Sequence, residues 1–471
     1  MNTKFTISLA TVGSILLSGC FDSDSDSKNT SVRVVHASSD APAVNVRFSG
    51  GALNTNPVVS GADYKQAAEL TPRAGSSSIA IDGILPGGDT TTVIETDASF
   101  RFDTHYDVIA VGKVGDSSIA ALVLADNGNR DSATSVRLRI AHLSPDAEAA
   151  AAGPVDVFVT AAGDPLPADA TFTFSFQESV GPLEVPAGDY QIRVTPTGSD
   201  TVVYDSGTVP LPAGADLLIG AVDNTVFGDS PVSLLVVNGA DTSEILDVGT
   251  GAGIRAAHNS AAPTPNVDIY VNEDPDLSPA SGDVAFGETV PAGAVTGSYV
   301  ELATGSNRVA VTAAGDTSTA VIDETLDLAN GDLRTLVAAG ILADGLDLFA
   351  FTDDNRRIVT EARLRVLHGA VEAQSVDVLL IPTAAGGAGS TLIGNASPAL
   401  DDFQYGTSSG YVSVAADDYV IFITSDDGST ELYKSPSLTL SAGGVYTALA
   451  RLEESMASVA TVTLLDDFVI P

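Results

Sequence analysis

Four of the five histidines fall in one recurring pattern, Arg-x-x-His: Arg33 with His36, Arg139 with His142, Arg255 with His258, and Arg365 with His368. Successive histidines are 106, 116 and 110 residues apart. Four residues after each stands Asp40, Asp146, Ala262 or Glu372, so three copies offer an imidazole and a carboxylate together. Such a pair is the raw material of an acid–base dyad. No nucleophile recurs beside it, however, and one His with one acid falls short of the three protein ligands of a catalytic zinc site. Residues 406–410 spell Gly-Thr-Ser-Ser-Gly. A nucleophile elbow must lead from a strand into a helix, whereas Tyr411 to Val414 reads as strand. The glycine-rich stretch 249–253 precedes a strand and reads as a linker rather than a phosphate cradle. The Asp-rich loop 272–276 carries oxygen ligands of the type Ca²⁺ takes, without the spacing of a calcium loop. These patterns assign no catalytic residue, no metal site and no cofactor, with Ca²⁺ in the Asp-rich loops the one candidate ion.

The elements that hold these residues are strands. Alternation places Val136, Leu138, Ile140 and His142 on one face, and Ala362, Leu364, Val366 and His368 repeat the row, as do Val32, Val34 and His36. Each His then closes an inward row, where its imidazole hydrogen-bonds the loop that follows, and each Arg points outward to solvent. Eight to thirteen residues on comes an apolar–acid/amide–apolar triplet centred on Asn45, Asp156, Asp268 or Asp377. If the first two strands pair antiparallel, Arg and acid meet in a cross-strand ion pair. Each copy closes with a strand running into Asp126, Asn238, Asp353 or Asp466. Landmarks recurring in the same order in four copies define an internal repeat of about 110 residues. That is the size of an immunoglobulin-like sandwich, large enough to fold without its neighbours. The reading is all-β: four tandem immunoglobulin-like β-sandwich modules at 31–131, 132–247, 248–358 and 359–471. They are expected as beads on short linkers near 130–135, 247–253 and 357–361.

The opening of the first copy, His-Ala-Ser-Ser-Asp-Ala-Pro-Ala-Val-Asn-Val from His36 to Val46, resembles the "HASPDAPAVDV" start of a bacterial repeat family known as domain of unknown function 4397. The second copy keeps His142, Ser144-Pro145-Asp146-Ala147 and Val155-Asp156-Val157 around an Ala-rich insertion. The third keeps His258, Ser260, Pro263 and Val267-Asp268-Ile269, and the fourth is the most divergent. The resemblance implies β-sandwich modules on secreted or surface-anchored proteins, and it implies no reaction.

Ahead of the repeats, Lys4 and the apolar run from Phe5 to Leu17 form a signal peptide over 1–19, too short to span a bilayer as a mature helix. It ends in Leu17-Ser18-Gly19-Cys20, which resembles the lipobox of bacterial lipoproteins. Cys20 is the one cysteine in the chain, which excludes a disulfide framework. Its thiol is expected to take a diacylglyceryl group, with two or three acyl chains anchoring the protein durably. Residues 20–30 form the lipidated, acidic tether. The sequence ends after a strand-like segment without a sorting tail, so this lipid is expected to be the anchor.

With 61 Asp+Glu against 21 Lys+Arg, the net charge is −40, which disfavours nucleic acid as a partner. Asp outnumbers Glu 46 to 15, as suits a loop-rich β protein whose Asp side chains cap their own turns. The expected function is a non-enzymatic, lipid-anchored structural or adhesive protein of the cell envelope, in the outer membrane, contacting the membrane through its N-terminal lipid and a protein or glycan partner at the surface. The first alternative is a carbohydrate- or matrix-binding surface protein, which the absence of Trp and 6% aromatic content disfavour. The second is a hydrolase using a His–acid pair.

Overall fold

The computed structural model describes residues 29–50, 58–260, 265–272, 279–383, 397–452 and 460–469. Residues 1–19, expected as a signal peptide, Cys20 with the expected tether up to residue 28, and residues 273–276 of the Asp-rich loop lie outside the described residues. Within them are 36 strands and one helix, and no helix is long and apolar enough to cross a membrane.

The chain is a tandem array of β-sandwiches. In the first, one sheet runs in the order Ala67–Leu70, Ser31–His36, His105–Val111, Ala120–Asp126. The facing sheet runs Val59–Ala62, Val44–Ser49, Gly75–Ile84, Thr90–Phe100. The opening strand lies parallel to His105–Val111, and its other neighbour is antiparallel. The same parallel pairing joins Ser135–His142 to Asp216–Asp223, Ala252–His258 to Leu333–Ile341, and Ala362–His368 to Val445–Arg451. Val32, Val34, Val46, Ile81 and Val108 show the resulting core, drawn from alternate residues of both sheets.

The other face of the opening sheet is not a solvent face. Val35, Ile109 and Val111 of the first module pack against Leu143, Leu218 and Leu235 of the second in one shared cluster. Ala257, Val337 and Ala339 of the third likewise meet Leu367 and Leu449 of the fourth. The modules are therefore packed in pairs, first on second and third on fourth, rather than strung as beads. The reason is compositional: a strand buried on both faces reads as a near-continuous apolar run, and Val-Arg-Val-Val or Ile-Ala-His-Leu is such a run. The stretch proposed as the last linker is also engaged, since Val359 N–H donates to Asp40 O at 3.0 Å and Arg356 donates to Ser39 O at 2.9 Å.

The helix, Pro145–Ala151, is the Ala-rich insertion of the second module. Ser144 caps it by accepting from Ala147 N–H at 3.0 Å, and Pro145 sits where no donor is needed.

Candidate functional site: the histidine corners and the module seams

Each motif histidine stands where the opening strand ends, and all four are buried. Ser38 N–H donates to His36 Nδ1 at 3.3 Å, so the ring proton sits on Nε2 and donates to Pro42 O at 3.0 Å. His368 repeats this with Ala370 N–H at 3.3 Å and Ala373 O at 2.7 Å. His258 Nε2 reaches Pro265 O at 3.3 Å. In the second module the insertion helix replaces that loop; His142 keeps Ser144 N–H at 3.5 Å, but its Nε2 has no partner among the described residues. Burial pushes all four imidazoles below their ordinary value, His36 to about 4. They are neutral clasps that set the path of the following loop.

The acids four residues on do not pair with these rings. Asp40 accepts from Val114 N–H at 2.8 Å and Gly115 N–H at 2.9 Å. Asp146 lies in the first turn of the helix and takes Lys113 at 2.6 Å. Glu372 lines a separate surface groove with Asp344 and Asp347. Among the described residues no carboxylate hydrogen-bonds a motif histidine, so the dyad geometry of the hydrolase alternative is not formed. Ser408 lies at the start of the strand Ser408–Val414, away from any helix.

Sequence reading missed the residue that completes each corner. Tyr64, Phe176, Phe286 and Tyr405 set their rings edge-on to the four imidazoles at 6.2, 6.3, 6.2 and 6.2 Å. The next residue, Lys65, Gln177, Gly287 or Gly406, is left-handed, with φ from 68° to 81°. Its N–H donates to the histidine carbonyl at 2.7–2.8 Å in all four modules. An aromatic followed by Gly or a polar residue is the available signal, but it comes 28, 34, 28 and 37 residues after the His, too irregular to register as a repeat.

The motif arginines correct the second expectation. They are 0–4% exposed and project into the seams between modules, not to solvent. Opening and second strands belong to different sheets, so Arg139 and Asp156 do not pair. The triplet acids do other work. Asn45 accepts from Gly61 N–H, Asp268 from Asp283 N–H and Asp377 from Asp402 N–H, at 2.7–3.0 Å. Each donor has positive φ at a register shift, so the side chain stabilises a β-bulge in the edge strand. The second module has a regular register there, and Asp156 accepts from Thr173 instead.

In the seam of the third and fourth modules the ion pairs are exchanged. Arg255 grips Asp466 of the fourth through two nitrogens, at 2.5 and 3.2 Å, and Arg365 of the fourth reaches Asp353 of the third at 2.6 Å. Thr335, Thr447 and Tyr299 satisfy the remaining positions. Burial alone would raise the Asp353 carboxyl, but Arg365 and Arg255 beside it hold it below the usual carboxylate range. In the first seam Arg139 reaches Asp126 at 2.6 Å, while the acid due to Arg33 is replaced by Asn238. Arg33 turns to Asp107 of its own module at 2.7 Å, a position occupied by Thr335 and Thr447 in the other pair.

A cleft of about 540 Å³ opens beside the second module, between its helix and the passage into the third. Ala147, Val155, Val194 and Phe227 line it, with Asp229 and Glu301 at its rim. Among the described residues no group of side chains has a metal-binding arrangement.

A sequence model described as "Domain of unknown function (DUF4397)" matches residues 30–151 and 252–379, more than half of the chain. The chain belongs to that family. Each match begins at an odd-numbered module and runs through the Arg-x-x-His of the next, so each contains both motif arginines of one seam. No curated protein matches it. Among solved structures, the Bacillus anthracis TIE protein is 10% identical, with a TM-score of 0.14, over 66% of this chain and 49% of that one. A product complex of the multi-modular glycogen-degrading pneumococcal virulence factor SpuA is 11% identical, with a TM-score of 0.15, over 74% and 39%. Likenesses this slight have no bearing on fold or activity.

Proposed function

We propose that this chain is a lipid-anchored protein of the cell envelope, held in the outer membrane through acylated Cys20, with a structural or adhesive role and no catalytic one. The observation that carries this reading is where the repeated polar residues go. The histidines are neutral and tied to their own loops, and the arginines are neutralised inside the seams. What the copies share is thus machinery for folding and pairing, and the variable Asp-rich loops are left to meet partners. Paired modules form a compact presenting body rather than a flexible string. Labelling cells with palmitate tests the anchor: the wild type should take up label and fractionate with membranes, and Cys20→Ser should do neither. Retention of Cys20→Ser in the membrane fraction would reject it. Loss of surface adhesion in cells lacking the protein tests the role.

The cleft favours a second reading, binding of a glycan or matrix polymer. Half-buried Phe227 offers a ring for a sugar face, and Asp229 and Glu301 offer acceptors for hydroxyls. Glycan-array binding by the whole chain that disappears in Phe227→Ala would support it, and an array without signal would end it.

A further inference from the structure

Arginine is scarce here, and nearly every one is engaged. The guanidinium groups of fourteen of the sixteen make hydrogen bonds. The two whose guanidinium groups make neither a hydrogen bond nor an ion pair among the described residues are Arg73 and Arg101, both exposed in a chain with 61 acids. They flank the same point. Asn29 bridges to Arg73, Thr30 N–H donates to Pro72 O at 2.9 Å, and Ser31 N–H donates to Thr104 O at 3.2 Å. The turn that ends at Thr104 carries Arg101, Phe102 and Asp103, and Phe102 is 56% exposed.

We infer that this end of the first module, Arg73, Arg101 and Phe102, is a membrane-facing surface that rests on anionic phospholipid. The inference builds on the proposed lipid at Cys20. Asn29 lies nine positions after Cys20, and a fully extended chain spans at most ~30 Å over that distance. The body is therefore held by this end close to the bilayer, where a weak surface contact is favoured by high effective concentration. Unpaired arginines suit lipid phosphates, and an exposed aromatic ring suits the headgroup–acyl boundary. Asp103 is the opposing charge in the same turn. The net charge of −40 repels an anionic surface only within about a Debye length, near 8 Å at physiological salt. Contact is thus confined to the end where free cations lie.

The chain has no Trp and one Cys, which makes the test clean. The mature chain carrying Phe102→Trp is coupled through Cys20 to a maleimide phospholipid in vesicles containing phosphatidylglycerol. Its emission should shift to the blue and be quenched severalfold more by brominated lipid chains than that of Val412→Trp, a similarly single reporter in the fourth module. Adding Arg73→Glu and Arg101→Glu should remove most of that quenching, as should phosphatidylcholine vesicles or 1 M salt. Equal quenching of the two reporters overturns the surface, and quenching indifferent to lipid charge overturns recognition of anionic headgroups. Because the coupling is chemical, these results do not depend on natural acylation. Palmitate labelling of wild type against Cys20→Ser reports on the anchor separately.

Discussion

The two seams solve one problem with different residues. In the pair formed by the third and fourth modules, each opening arginine crosses to the acid that ends its partner's last strand, giving a reciprocal exchange, Arg255 to Asp466 and Arg365 to Asp353. In the pair formed by the first and second, one crossing survives, Arg139 to Asp126, and Asn238 breaks the other. Arg33 is instead held by Asp107 within its own module, and the same Asp107 lies 3.2 Å from Arg139. The lesson is that the invariant requirement is neutralisation of a buried guanidinium, since an uncompensated charge in such a place is costly. Which strand supplies the carboxylate is free to change.

The largest effect that would break this comparison is removal of a seam acid. Asp353→Ala leaves Arg365 without its carboxylate and should cost about 3–5 kcal/mol, read as a lower urea midpoint. A loss below about 1 kcal/mol would show that the exchange contributes little. Asp107→Thr should destabilise the first seam comparably. Combined with Asn238→Asp it imitates the other seam, and the pair should show a favourable coupling of roughly 0.5–3 kcal/mol in a double-mutant cycle; additive losses would mean that position 238 cannot reach Arg33.

Acid should act on corners before seams. A histidine whose folded value is depressed is neutral when folded and charges on unfolding, so its contribution is complete above about pH 6.5 and is lost as pH falls toward about 4 for His36. The Asp107 and Asp353 carboxyls are held low despite burial, so their contribution persists until pH drops through that depressed range. Stability measured from pH 8 down should decline first between 6.5 and 4, then again below 4, and a flat profile between 8 and 4 would contradict buried neutral histidines. The smallest effect is at the odd corner. His142→Leu strands only the Ser144 N–H, held at 3.5 Å, and should cost less than about 1 kcal/mol, whereas His368→Leu strands both a carbonyl and an N–H and should cost more, about 1–3 kcal/mol.

Much of the scaffold was legible because it repeats. The alternation through Val136, Leu138, Ile140 and His142 identified strands and an inward row, and the ordered landmarks revealed four copies. The closing acids Asp126, Asp353 and Asp466 were visible as a landmark, yet nothing in their spacing tied them to Arg139, Arg365 and Arg255, because each such contact joins different modules. The triplet acids looked like partners for those arginines only under an antiparallel pairing of the first two strands, and the placement of those two strands in different sheets removed it. The aromatic of each corner escaped notice because loops of unequal length separate it from its histidine.

Local pattern alone determined that this chain is built of strands, that it repeats four times, and that its histidines end their strands, since side-chain alternation and turn chemistry act over a few residues. The tertiary structure decided that both faces of the opening sheet are covered, that the modules pair, and that the arginines are interior. Those outcomes depend on surfaces of different modules brought together, and whether an apolar row faces water or another module is settled by what packs against it.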